Sequence, residues 1–240
     1  MKIEKVIGYL LIIGAVGVFV PYTILTITFN YPDILRQESG IVLTQFHQGG
    51  ALLIFTWLSF ALLGIPLLIS YSLIGQRLES KISYARWVTT LGIISGIVQI
   101  IGLLRWVFVV PILASDYVNT INPASQEAIV MVFKAVHQFG GVLLGEHLGQ
   151  LLTVIWTVFI STALMKVKII PQWLAWWGSI SSFIYFLAQA ELLATVIPGF
   201  PQIEIAGFVG SILWILWLIL TGIKFIQINK NNHIGALTNG

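Results

Sequence analysis

The chain has no cysteine and very little charge: 12 Lys and Arg with 9 Asp and Glu in 240 residues, or 9%. The first absence excludes disulfides, thiolate metal centres and cysteine nucleophiles. The second sets the chain apart from soluble domains, in which about 25% of residues are charged. The short strings that announce common chemistries are missing too. No H-E-x-x-H, G-x-S-x-G, C-x-x-C-H or phosphate-cradling G-x-x-x-x-G-K-[ST] occurs. Nor is there a basic cluster interleaved with aromatic rings, so the net charge of +3 does not point to nucleic acid as a partner.

What fills the chain is apolar: 58% hydrophobic residues and a mean hydropathy of +0.95. A membrane span needs about 20 such residues. Six windows qualify, at 6–28, 48–74, 87–111, 141–165, 173–197 and 204–227. The fold class expected is all-α, a six-transmembrane-helix bundle in a single domain over 1–228, followed by a flexible polar tail at 229–240. The run from Val6 to Phe29 exceeds the apolar core of a signal peptide and lacks an A-x-A site, so it reads as a retained first span. Pro66 is expected to kink the second span and Pro111 to end the third.

Charge assigns an orientation. Lys2, Lys5, Arg77, Lys81, Arg86, Lys166, Lys168, Lys224 and Lys230 fall on one side of these spans, and Arg36 and Lys134 on the other. By the positive-inside rule both termini are cytoplasmic, in a multi-pass protein of the cell membrane. Trp87, Trp173, Trp176 and Trp177 then lie at the inner interface, where aromatic belts form.

Two strings echo each other. Phe46-His47-Gln48-Gly49-Gly50 opens span two and Val136-His137-Gln138-Phe139-Gly140-Gly141 opens span four, each after a partly polar segment (30–45 and 114–135). The echo suggests parallel-related hairpins, as in transporters built from repeats, with spans five and six as a third hairpin.

Span four has two faces. Gly141, Gly145 and Gly149 recur every fourth residue, a spacing that lets helix backbones approach. Gly92 and Gly96 on span three, or Ala206 and Gly210 on span six, offer matching small surfaces. Glu146, Gln150, Thr153 and Thr157 follow a helical repeat and form a polar stripe that should face the interior. An ionisable residue at bilayer depth is costly and marks a site by default. Arg105 and Glu191 fall at the depth of Glu146 and His147, which makes Arg105, Glu146, His147, Gln150 and Glu191 the candidate binding residues. Arg105 is expected to pair with the carboxylates of Glu146 and Glu191.

His47, His137 and His147 are candidate metal or haem ligands. On one continuous helix His137 and His147 would stand about 15 Å apart, too far to share a metal ion. His47 and His137, equivalent in the echo, are the pair that could hold a haem axially.

Ile170-Pro171-Gln172-Trp173-Leu174-Ala175-Trp176-Trp177-Gly178, followed by a last span with Trp214 and Trp217 before Gly222, resembles a prokaryotic membrane family, the domain of unknown function 4386. The resemblance implies six spans and no established activity. Gln172 stands where that family usually has Arg. The string itself needs no chemistry, because Pro171 starts a helix and the tryptophans anchor it. Three functions fit: binding or transport of a small polar ligand, a membrane oxidoreductase that carries haem or reduces a quinone, and a structural or regulatory subunit.

Overall fold

In lipid a chain must satisfy its backbone hydrogen bonds internally, which leaves a run this apolar little choice but helix. A computed structural model describes residues 2–237, with side chains through 228, and every regular element in it is helical. In order they are α1 (Ile3–Phe29), a 3-10 turn (Asp33–Arg36), α2 (Ser39–Leu62), α3 (Ile65–Leu78), α4 (Ala85–Phe108), α5 (Val110–Asn119) and α6 (Pro123–Val136). A π-helical segment (His137–Leu148) follows, then α7 (Gly149–Lys166), α8 (Gln172–Leu187), α9 (Gln189–Ala194) and α10 (Glu204–Leu237). The flexible tail expected at 229–240 lies outside the residues whose side chains are described.

Five helical stretches are long and apolar enough to cross a membrane: Ile3–Phe29, Ser39–Leu78, Ala85–Asn119, Pro123–Lys166 and Glu204–Ile228. The window at 173–197 is not one continuous helix. It holds α8, of 16 residues, and α9, of 6, separated at Ala188. Large apolar side chains face outward along the spans; Ile27 is 79% and Leu52 74% exposed, which suits lipid and not water.

The prolines divide the spans more finely than expected. Pro66 lies in the first turn of α3, after α2 has ended at Leu62. Pro111 does not end the third span. It sits in the first turn of α5, where its missing N–H costs nothing, after a break at Val109. The segment 114–135 is largely helical, and the Asn122 side chain caps α6 by accepting from the Ala124 N–H at 2.9 Å.

Packing resolves into two compact units. The first comprises Met1–Val16, Ile65–Gly96 and Gly149–Gly240. Here α8 packs against α7 and α10, around buried Trp156, Ile160, Leu164, Leu174, Trp217 and Leu218. Gly8 and Gly222 let α1 and α10 meet backbone to backbone: a Cβ on Gly222 would lie 2.8 Å from the Gly8 carbonyl oxygen. The Trp177 indole donates to the Leu213 carbonyl at 3.0 Å, tying α8 to α10.

The second unit comprises Gly17–Gly64 and Ile97–Leu148, two stretches of similar length. In it α2 packs on α5 and α6. Its core is aromatic: Trp57 and Trp106 stack at 4.9 Å and 11°, Phe46 stacks on Trp106 at 5.4 Å, and Phe29 meets all three edge-on.

Both echoed strings fall where a helix departs from α geometry. Gly50 interrupts α2 with φ 56° and ψ −152°, a region that is essentially glycine-only. Nothing lies within 4 Å of a Cβ built there, so the constraint is conformational and not steric. Gly50→Ala is expected to destabilise by about 1–3 kcal/mol, read as a lower thermal midpoint. A midpoint unchanged from the parent would mean that α2 can run straight.

Candidate functional site

Arg36, which sequence reasoning left in a connector, is held in place by its neighbours. Ile34 and Leu35 are 1% and 9% exposed and pin the Asp33–Arg36 turn into the core of the second unit. From there Arg36 Nη2 donates to Glu146 Oε2 at 2.8 Å. The two side chains are 29% and 19% exposed, so the ion pair is only partly withdrawn from solvent.

Arg105 belongs to the last turn of α4 and is 8% exposed. Its Nη1 donates to the carbonyl of Gly102, where the end of a helix favours a cation. The guanidinium carbon stands 5.1 Å from the Trp106 ring centroid, and its Nη2 lies against bare Gly141, where a Cβ would collide with it. The two echoed Gly-Gly pairs therefore serve different ends. Gly50 supplies a backbone conformation, and Gly141 makes room for an arginine.

Glu146 and Arg36 are both within electrostatic range of Arg105. Two guanidiniums and one carboxylate therefore act on one another around Arg105. Several polar atoms beside them are buried without a hydrogen-bond partner among the described residues: Arg105 Nε, Trp106 Nε1 and Trp57 Nε1. All three are N–H donors that cannot accept. His137 stacks on Phe133 at 5.5 Å and meets Trp106 edge-on at 6.2 Å.

The remaining candidates divide between the units. His147 is half-buried on the π-helical segment. Gln150 and Glu191 belong to the first unit. There the polar face expected on span four is interior, as its spacing implied. Gln150 accepts from Gln189 at 2.8 Å, Thr153 meets Ser95 at 2.6 Å, and Thr157 accepts from the Trp214 indole at 2.8 Å. Glu146 precedes that stripe on the π-wound segment from His137 to Leu148.

The glycine surfaces pair differently from expectation as well. Gly92 packs against Trp156, Gly96 against Leu68 and Gly210 against the Tyr185 backbone. It is Gly102 that lies against Gly145.

For metal, no group of three or more His, Cys, Asp or Glu side chains converges among the described residues. His47 is exposed on α2, and the ring of His137 is flanked by Phe133 and Trp106.

Helices apolar on their outer faces, with a buried ionic cluster inside, describe a multi-pass membrane protein. The chain belongs to the family described as domain of unknown function DUF4386, which matches residues 6–222. This is the family that the Ile170–Gly178 string resembles. No curated protein and no solved structure matches the chain.

Proposed function

We propose that the second unit binds a small anionic or otherwise acceptor-rich molecule, such as a carboxylate, within the membrane. The observation that carries this reading is the donor surplus around Arg105. Its Nε–H and the neighbouring indole N–H groups have no acceptor among the described residues, and Glu146 already accepts from Arg36. A buried donor without an acceptor costs roughly 1–3 kcal/mol, which a ligand oxygen would recover. A guanidinium also suits the fork of a carboxylate. Gln150 and Glu191 are not needed in this role.

The test is thermal unfolding of the purified chain with acetate, lactate and benzoate, against chloride of the same cation. At least one carboxylate is expected to raise the midpoint, and Arg105→Gln to remove that shift while the protein stays folded. If no carboxylate shifts the parent protein, or if Arg105→Gln keeps the shift, the reading fails.

The accompanying topology is six spans with both termini cytoplasmic. Together α8 and α9 cover residues 172–194, enough to cross a hydrocarbon layer of about 30 Å. Lys and Arg also gather on one side of the spans. Because the chain has no cysteine, single Cys substitutions report without background. Ser125→Cys should react with an impermeant maleimide in intact cells and Ser80→Cys should not; both positions are exposed. The opposite pattern would invert the protein.

A further inference from the structure

We propose that the turn joining α3 to α4 and the end of α7, both in the first unit, form a binding site for the headgroup of an anionic phospholipid. Four observations meet there. Lys166 Nζ lies 5.6 Å from the centroid of the Tyr84 ring. The Tyr84 hydroxyl is buried and has no hydrogen-bond partner among the described residues. Glu79, the acid of this turn, is paired with Arg86, which leaves Lys81, Lys166 and Lys168 as an exposed surplus of positive charge. Beside them, Phe159 packs 5.5 Å from Tyr84 and 5.1 Å from Trp87, and the Phe159 and Trp87 rings remain 37% and 47% exposed.

The chemistry selects the occupant. A phosphate oxygen can accept the phenolic proton of Tyr84 in a hydrogen bond and neutralise the Lys166 ammonium together. A soluble phosphate would satisfy those two groups and leave the aromatic edge unused. A phospholipid satisfies both, because exposed Trp and Phe at the level of the headgroups pack against the glycerol and the first methylenes of the acyl chains. Basic pockets at helix ends bind lipid phosphates on the same principle. Zwitterionic lipid is the weaker partner, since its own ammonium competes with Lys166.

The experiment compares phosphatidylglycerol, phosphatidylcholine and inorganic phosphate, each added to the purified full chain in detergent. Phosphatidylglycerol well above its dissociation constant is expected to raise the thermal midpoint by about 5 °C or more, and the other two to have little effect. Tyr84→Phe, which removes one oxygen, should cut that shift by at least half. Lys166→Gln should do the same, and Lys134→Gln, in the other unit, should not. If Lys166→Gln does not fold, Tyr84→Phe decides, with bound lipid counted by native mass spectrometry. Equal shifts from phosphatidylcholine or inorganic phosphate would overturn the proposal, as would a full shift in Tyr84→Phe.

Discussion

Glu146→Leu is expected to lower the melting midpoint by about 5 °C. The substitution removes the carboxylate that Arg36 donates to at 2.8 Å and that acts on the buried Arg105. Removing one partner of a fully buried pair costs roughly 3–5 kcal/mol; this pair is partly exposed, so about 2 kcal/mol is expected, and each kcal/mol moves the midpoint of a chain this size by about 2–4 °C. Arg36→Leu should cost less, because Glu146 still has Arg105 within electrostatic range. The double variant should cost less than the sum of the two. A thermal-melt cycle checks this, and strict additivity would mean that the ion pair contributes nothing to the fold. Glu146→Gln separates structure from binding. It keeps the shape and removes the competing carboxylate, so a carboxylate ligand should bind it more tightly than it binds the parent.

Gly102→Ala should do comparable damage with a single methyl group. Its Cβ would stand 2.8 Å from both the Gly140 carbonyl oxygen and the Gly145 α-carbon, and both of those atoms are backbone. No rotamer can relieve that contact, so α4 and the π-helical segment must separate. Overpacking of this kind costs about 1–3 kcal/mol or more. The reverse substitution differs: a Cβ on Gly145 lies 3.4 Å from its nearest neighbours, near ordinary contact. Gly145→Ala should therefore fold almost normally, while Gly102→Ala elutes as aggregate or melts early. If the two behave alike in size-exclusion chromatography and thermal melts, the close approach at Gly102 does not matter.

Much of this protein was legible in its sequence, and what was missed has physical causes. Hydropathy located the five helical stretches long and apolar enough to cross a membrane, because apolar length is a strong signal. The Pro171-Trp173 string identified the family. Arg105 and Glu146 stood out because charge inside an apolar run is conspicuous. Arg36 did not, since an arginine in a polar connector looks ordinary. The available clue was Ile34-Leu35 just before it, an apolar pair that tucks the turn into the core. The π-helical segment from His137 to Leu148 was not foreseen, because the pattern there was read at 3.6 residues per turn throughout. Gly102 was overlooked because small-residue faces were sought at four-residue spacing, and it falls outside the register of Gly92 and Gly96 on α4. The division of 173–197 at Ala188 has no proline or glycine to announce it.

The near-parallel indoles of Trp57 and Trp106 also give the second unit an optical signature. Two chromophores 4.9 Å apart and inclined by 11° do not absorb independently; their transition dipoles couple, and the near-ultraviolet circular dichroism carries the product of that coupling. A difference spectrum between the parent and Trp57→Phe isolates it from the other seven tryptophans among the nine in the chain. Because Trp106 also carries Arg105 over its ring at 5.1 Å, a shift of that guanidinium by even a fraction of its contact distance changes the field on Trp106 more than on Trp57. The chain thus contains its own spectroscopic reporter for the ionic cluster, readable without a label.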